Sequence, residues 1–115
     1  MDKKVETSIL LQIYGKLLTK NQQDVMNLYY NEDLSLSEIA EINKISRQGV
    51  SDIIKKGETK LLEYEKVLHI MKTTQTNNET INTIVYELSK IDENSSKNDI
   101  QKIINKVQKK LQKIQ

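Results

Sequence analysis

The stretch that decides the fold is LSLSEIAEINKISRQGVSDIIKKGETKLLEYE, residues 34–65. Its apolar positions recur three and four residues apart, which predicts two helices joined by a short turn at residues 43–45. Ser35 and Glu38 have the spacing of a capping box at the start of the first helix, and Ser46 is placed to cap the second. A helix-turn-helix also needs a small residue where its helices cross and apolar residues that hold them together. The positions that we expect to be buried for this purpose are Leu36, Ile39, Ala40, Ile45, Val50 and Ile53.

The composition of the 115 residues favours helices throughout. Proline is absent, glycine occurs three times, and there are five tyrosines but no phenylalanine or tryptophan. We therefore expect an all-α protein in which a tri-helical helix-turn-helix is followed by a C-terminal helical hairpin. Cysteine is absent, histidine occurs once, and there is no glycine-rich phosphate loop or nucleophile elbow. These features predict a protein that is not an enzyme and that has no metal site or cofactor.

The residues on either side of the motif extend it into a domain over residues 1–73. A first helix is predicted at residues 3–18, with Val5, Ile9, Ile13 and Leu17 on one apolar stripe and Leu10 beside it. Thr19 and Gln22 form a second capping box, which opens a helix that ends near Asn31. The helix after Ser46 is predicted either to run unbroken to about Met71 or to hinge near Gly57, because glycine weakens a helix by about 1 kcal/mol relative to alanine.

The C-terminal part begins after KTTQTNNE, residues 72–79, which we interpret as a polar linker. Two amphipathic helices follow within residues 79–115, and DENSS separates them. Their apolar positions are Ile81, Ile84, Val85, Leu88 and Ile91, and then Ile100, Ile103, Ile104, Val107, Leu111 and Ile114. A hairpin with one stripe on each helix is marginal alone, so we expect it to pack on the first domain or to form a dimer interface.

The charges are divided unevenly along the chain. Residues 1–73 carry 11 basic and 11 acidic side chains, whereas residues 97–115 carry six lysines against Asp99 alone. Three interpretations of the lysine-rich helix stay open: a solvated face, a contact to nucleic-acid phosphates, or a contact to an acidic protein or membrane surface. No apolar run approaches the roughly 18 residues that a membrane-spanning helix needs. We expect a cytoplasmic protein with no membrane span.

Five fragments within residues 18–68 carry a resemblance to a known family. They are LT followed by Q, LYY, DLSLSEIAE, SRQGV and LLEYE. This segment resembles the YlxM family of small bacterial proteins, which in turn resemble region 4 of sigma-70 factors, the part that reads a promoter's upstream element. The resemblance implies a regulatory role linked to the signal recognition particle pathway.

The second helix of the motif supplies the candidate DNA-binding residues, because the start of such a helix enters the major groove. The candidates for base readout are Arg47, Gln48, Ser51 and Lys55, and those for phosphate contacts are Lys44, Ser46 and Lys56. Asp52 lies among them and could accept a hydrogen bond from cytosine, but it would equally repel phosphates or pair with Lys55 or Lys56. Because residues 35–60 carry five basic and four acidic side chains, we expect a monomer to bind double-stranded DNA weakly.

Two functions follow from this sequence. The first is a DNA-binding transcription regulator, with a homodimer or the lysine-rich helix compensating for the weak charge of the motif. The second is a non-enzymatic adaptor with the same fold that binds a protein or RNA partner, such as components of the signal recognition particle. The exposed residues of the motif are compatible with both functions, and they are also compatible with an ordinary solvated surface.

Overall fold

The computed structural model describes residues 2–115, and within them all regular structure is helical. Met1, the first residue of the expected N-terminal domain, lies outside the described residues. The helices are α1 (Lys3–Tyr14), α2 (Lys20–Tyr30), α3 (Leu36–Asn43), α4 (Arg47–Leu68), α5 (Ile70–Ser89) and α6 (Lys97–Leu111), with one 3-10 turn at Gly15–Leu17. The all-α helix-turn-helix prediction is confirmed. The chain divides into two compact units, one ending at Met71 and the other spanning Lys72–Gln115.

The predicted helix starts are confirmed by their hydrogen bonds. In both capping boxes the N-cap hydroxyl accepts from the backbone N–H three residues later, at 3.2 Å for Thr19 and 3.1 Å for Ser35. The side chains of Gln22 and Glu38 accept in return from the N-cap N–H groups, each at 3.1 Å. Ser46 accepts from the N–H of Gly49 at 2.9 Å and so fixes where α4 begins.

The turn between α3 and α4 lies where it was predicted, at residues 43–45. Its left-handed residue is Lys44, with φ 56° and ψ 42°, although asparagine at position 43 tolerates that conformation better. The N–H of Ile45 then donates to the Ala40 carbonyl at 3.1 Å, which closes the end of α3. The prediction that Ile45 is buried was wrong, since its side chain is 40% exposed. The residue precedes the α4 cap and lies outside the space where α3 and α4 face each other.

The first unit has two buried clusters, and α2 contributes neighbouring residues to both. Val25 packs in the helix-turn-helix cluster with Ile39, Ala40, Val50 and Ile54. Met26 packs in the other cluster with Leu10, Leu11, Tyr14, Leu18 and Leu61. Successive residues on a helix point about 100° apart, so a single helix can separate two clusters in this way.

The predicted inward face of α1 is correct at Leu10, which is buried, and at Ile9 and Ile13, which are half-buried, but it is wrong at its two ends. Val5 is 50% exposed and Leu17 is 56% exposed, whereas the buried positions of the segment are Thr7, Leu10, Leu11, Tyr14, Gly15 and Leu18. The helix has two adjacent apolar stripes, and burial of the second is favoured because its polar atoms find partners. The Thr7 hydroxyl donates to the Lys3 carbonyl at 3.0 Å, and the Tyr14 hydroxyl donates to Glu65 Oε1 at 2.6 Å.

Gly57 is buried, and α4 runs through it without a hinge. A Cβ atom at position 57 would lie 2.2 Å from Sδ and 3.1 Å from Cε of Met26. Such distances are far inside van der Waals contact, so a side chain here would force the buried Met26 side chain to move or α2 to retreat from α4. Of the two predictions for this helix, the uninterrupted one is correct up to Leu68.

The end of α4 is held by Tyr14. His69 takes a left-handed conformation, with φ 55°, and α5 begins at Ile70. The Tyr14 hydroxyl accepts from the N–H of Ile70 at 3.1 Å, and Glu65 Oε1 accepts from the N–H of Met71 at 3.0 Å. Burial raises the pKa of Tyr14, and the hydrogen bond to Glu65 adds to this effect. The phenol therefore stays protonated and able to donate.

The second unit contains most of α5 and all of α6. The prediction of a linker at residues 72–79 was wrong, because α5 is helical through this segment. The segment is polar but contains neither glycine nor proline, so nothing in it stops a helix. Asn77 exchanges two hydrogen bonds with the backbone of Gln115, at 3.0 and 3.3 Å, which places the end of the chain beside α5 as in an antiparallel hairpin. Ile84 is the buried residue of α5.

We expect Gly57→Ala to destabilise the protein by about 1–3 kcal/mol, because the added methyl group overpacks the α2–α4 contact at Met26. The free energy of unfolding in urea measures this effect. Lys56→Ala, at the neighbouring exposed position, is the control and should change it by no more than about 0.5 kcal/mol. A Gly57→Ala variant more stable than the wild type would show that the close contact does not constrain the fold.

Candidate nucleic-acid interface

The outward face of α4 collects four of the residues that the sequence analysis considered. Gln48, Asp52 and Lys55 follow one another at intervals of four and three residues, which places them on one side of a helix, and Lys56 lies beside them. All four side chains are exposed. The opposite side of the helix is buried through Val50, Ile54, Gly57 and Leu61. The packing of α4 therefore determines which of its residues can meet a partner.

Asp52 is paired with Gln48 and not with a lysine. Gln48 Nε2 donates to Asp52 Oδ1 at 2.9 Å, which corrects the expectation of a pair with Lys55 or Lys56. The interval of four residues brings the two side chains together on adjacent turns. The Gln48 amide uses one N–H for this bond, so its second N–H and its carbonyl oxygen remain available to a partner, next to the carboxylate of Asp52. The centre of this face consequently offers hydrogen-bond acceptors together with one amide donor.

Arg47 and Ser51 lie towards one flank of this face. Arg47 is exposed in the first turn of α4, where the helix carries no acidic side chain. Ser51 is half-buried and lines a cleft of about 390 Å³ together with residues of α1, α2 and α3. Of the four candidates for base readout, the structure places Gln48 and Lys55 on the central face, Arg47 at its edge and Ser51 in the adjoining cleft.

Lys3 and Lys4 are two basic residues that the sequence analysis did not include in the site. They line the same cleft as Ser51 and Lys55, although about fifty positions separate the two pairs. Lys4 Nζ lies 3.3 Å from Asp33 Oδ1 and 5.0 Å from the centre of the Tyr29 ring, which fixes its position at the cleft. Two adjacent lysines in the sequence could have indicated a basic contact. That they lie near α4 follows only from the packing of α1 on α4.

Of the three candidates for phosphate contacts, Lys44 and Ser46 flank the start of α4, and Lys56 lies in its third turn. The Ser46 hydroxyl accepts the capping bond from Gly49 and keeps its own hydrogen available for donation. Lys44 is exposed in the turn, where its backbone N–H is directed to the Ala40 and Glu41 carbonyls. Lys56 is exposed beside the outward face. The free N–H groups at a helix start attract anions, and these side chains extend that region.

The floor of the cleft contains a second tyrosine–glutamate pair. The Tyr30 hydroxyl donates to Glu58 Oε1, and burial together with this bond raises the pKa of Tyr30. Glu58 is thereby directed into the protein, so this acid of α4 is occupied by an internal partner. Across residues 2–115 no three His, Cys, Asp or Glu side chains come together as a metal site. Within the same residues no helix is both long and apolar enough to cross a lipid bilayer.

This geometry defines the class of protein: a small all-α chain built on a helix-turn-helix. Residues 1–107 match the model of the UPF0122 family, described as "Putative helix-turn-helix protein, YlxM / p13 like", and the chain belongs to that family. A UPF0122 protein of Acetivibrio thermocellus is 41% identical over 115 residues, which cover 99% of this chain and 97% of the relative. A UPF0122 protein of Clostridium perfringens is 45% identical over 100 residues, which cover 84% and 89% respectively. The resemblance to the YlxM family is confirmed.

We expect Asp52→Asn to raise the affinity for duplex DNA about fivefold, because it removes a negative charge from the face of α4 that would meet phosphates. Asparagine keeps an oxygen that can accept from Gln48, so the local geometry is preserved. Fluorescence anisotropy with a random-sequence duplex at low salt measures the change. Glu63→Gln, which removes an exposed acid farther along α4, should leave the affinity unchanged. Equal binding by Asp52→Asn and the wild type would place Asp52 outside the interface.

Proposed function

We propose that this protein is a regulatory DNA-binding protein that inserts the first half of α4 into the major groove of a duplex. The observation that carries the proposal is the structure of α4 itself. Its start is capped by Ser46 and free of acids in the first turn, and its exposed side carries Arg47, Gln48 and Lys55. A helix start presented in this way by a helix-turn-helix is the element that reads bases in proteins of this fold.

The chemistry of the α4 face suggests which bases it would contact. Arg47 can donate two hydrogen bonds to guanine, and each good pair of this kind is worth about 1–3 kcal/mol of discrimination. The Gln48–Asp52 pair presents acceptors, which match the amino groups of cytosine and adenine in the major groove. Lys55 adds a donor one turn further along. Ser51 would contact DNA only at the edge of the interface, because its side chain is half-buried.

Phosphate contacts would come from both sides of α4. Lys44 and Ser46 flank the helix start, and Lys56 lies in the third turn. We add Lys3 from the cleft, and also Lys4, which would first have to separate from Asp33. The acids Asp52 and Glu41 lie on the same segment, so the net electrostatic attraction is small. Since phosphate neutralisation supplies most non-specific affinity, we propose weak binding by a monomer.

The resemblance to sigma-70 region 4 suggests what kind of regulation this protein carries out. We propose that the domain of residues 1–73 acts in transcription regulation in the manner that this resemblance implies. A protein that binds the chromosome has to share its compartment, which in a bacterium is the cytoplasm. The YlxM resemblance also implies a link to the signal recognition particle pathway. Direct binding to that particle's protein or RNA is the alternative proposal, and the near-neutral charge of the helix-turn-helix domain favours it.

We also propose that the hairpin of residues 79–115 pairs with a second copy of the chain. Ile81, Val85 and Leu88 follow one another at intervals of four and three residues along α5, and all three are exposed. This spacing is typical of a helix–helix seam, and the three residues are aliphatic. A two-fold dimer would pair the same stripe with itself and would present two copies of α4 to two half-sites.

Selection from a random duplex library tests the DNA-binding proposal. We expect the wild type to enrich a short motif. Arg47→Ala should lower affinity for that motif by about 1–3 kcal/mol and relax the preference at one position. Lys56→Gln should weaken all sequences alike and reduce the salt slope by about 0.9. Lys66→Gln, an exposed change in the last turn of α4, is the control. If no motif is enriched and capture from lysate is insensitive to nuclease, the adaptor function replaces this one.

Light scattering tests the dimer. We expect a mass of about twice the 13.4 kDa monomer at high protein concentration, and Val85→Lys, which places a charge in the stripe, should return the monomer mass. Asn82→Lys, an exposed change outside the stripe, should leave the dimer intact. A monomer mass for the wild type at every concentration would refute the dimer.

A further inference from the structure

The lysines of α6 form a stripe along one side of the helix. Lys102, Lys106 and Lys109 follow one another at intervals of four and three residues, and Lys113 continues the series in the turn that ends the helix. All four side chains are exposed. The rise of about 1.5 Å per residue gives the stripe a length of about 16 Å. We call these four residues the lysine stripe.

The lysine stripe is not neutralised by the protein itself. Across residues 2–115 none of its four ammonium groups lies within 4.0 Å of a carboxylate, whereas Lys4, Lys20, Lys60 and Lys90 each do. Asp99 is the one acid in residues 97–115, and its carboxylate is held in the capping box by the N–H of Ser96. Hydrogen bonds from Ser96 lower the pKa of Asp99, with a smaller effect from Lys102. The stripe therefore presents an uncompensated positive charge.

The apolar side of α6 indicates what kind of anion the stripe would meet. Ile100, Ile103 and Val107 are half-buried, and residues 97–115 contain no aromatic side chain. A helix that binds a bilayer inserts an apolar face that usually carries Trp or Phe at the boundary, and α6 has no such aromatic residue, although Ile104 and Leu111 are exposed on it. A row of exposed lysines can instead bind a row of phosphates without inserting into anything. The backbone of a nucleic acid offers such a row, with a rise of about 3.4 Å per nucleotide on each strand.

We propose that the lysine stripe of α6 is a second DNA-binding surface that contacts the phosphate backbone of a duplex without reading its sequence. The proposal rests on the proposed DNA-binding function and supplies the electrostatic attraction that the helix-turn-helix lacks. Residues 35–60 have a surplus of one positive charge, whereas residues 97–115 have a surplus of five. Most of the non-specific affinity of the full chain therefore comes from α6, and α4 contributes the discrimination between bases.

The test compares salt dependence in the full-length protein. A variant with glutamine at all four stripe positions (K102Q, K106Q, K109Q and K113Q) should lower the slope of log affinity against log salt by about 3.6, because each lost phosphate contact contributes about 0.9. The matched control, K16Q, K20Q, K60Q and K66Q, removes the same charge from exposed positions of the first unit and should leave the slope nearly unchanged. A variant with four arginines at the stripe positions should bind as the wild type does. Circular dichroism verifies that each variant is folded.

The outcomes separate this proposal from the function proposed above. If the glutamine variant keeps the wild-type slope while Arg47→Ala still relaxes base preference, the lysine stripe proposal is overturned and the helix-turn-helix function stands. If the slope falls as expected but Arg47→Ala and Lys56→Gln have no effect, the stripe is supported and the function of α4 is refuted. A loss of binding confined to anionic vesicles or to structured RNA, with duplex binding intact, would also overturn the proposal.

Discussion

The close approach of α2 to α4 at Gly57 is the constraint on which the first unit depends. A side chain larger than hydrogen at this position would meet the sulfur of Met26 at 2.2 Å. The contact lets Met26 fill one cluster while its neighbour Val25 fills the other, so one helix joins the two halves of the core. Because α4 belongs to both clusters, its rotation about its own axis is fixed. That rotation places Gln48, Asp52 and Lys55 outside and Val50 and Ile54 inside.

Polar contacts reinforce this arrangement in the middle and at the far end of α4. Tyr14 and Tyr30 each donate a buried or half-buried hydroxyl to a glutamate of α4, at Glu65 and Glu58 respectively. In both cases burial is the main reason that the pKa of the phenol is raised. Each pair removes an acid of α4 from the surface that faces solvent. The exposed surface of α4 is consequently less negative than the sequence of the helix suggests, and Asp52 remains as the acid at the centre of its outward face.

The proposed function assigns different roles to the two units, and these roles match the uneven distribution of charge along the chain. A helix-turn-helix reads bases through a few side chains, and it needs additional positive charge to hold the phosphates. The first unit has no net charge over residues 1–73, and the last helix carries six lysines against one acid. In the proposed function these two features are complementary, since sequence discrimination and electrostatic attraction come from different helices.

Much of the fold could be predicted because the signals are local. The capping boxes at Thr19 and Ser35 and the cap at Ser46 are formed as expected, since each depends on residues three positions apart. The errors concern choices that local signals do not make. Val5 and Leu17 resembled core residues, but both are exposed. The neighbouring side of α1 is buried instead, because from that side Tyr14 can donate its hydrogen bond to Glu65. Residues 72–79 resembled a linker because they are polar. They contain no glycine or proline, however, so they continue the helix α5 that begins at Ile70.

The sequence by itself determined the helices, the helix-turn-helix and the list of side chains that can meet a nucleic acid, because periodicity, caps and charge are properties of neighbouring residues. Only the tertiary structure decided how those side chains are grouped. Ser51 faces a cleft, Lys3 and Lys4 line the same cleft, and Gln48 is hydrogen-bonded to Asp52. The tertiary structure also changed the meaning of Gly57, from a candidate hinge to the point of closest packing. The physical reason is that grouping depends on which faces are buried, and burial is settled by contacts between residues far apart in the chain.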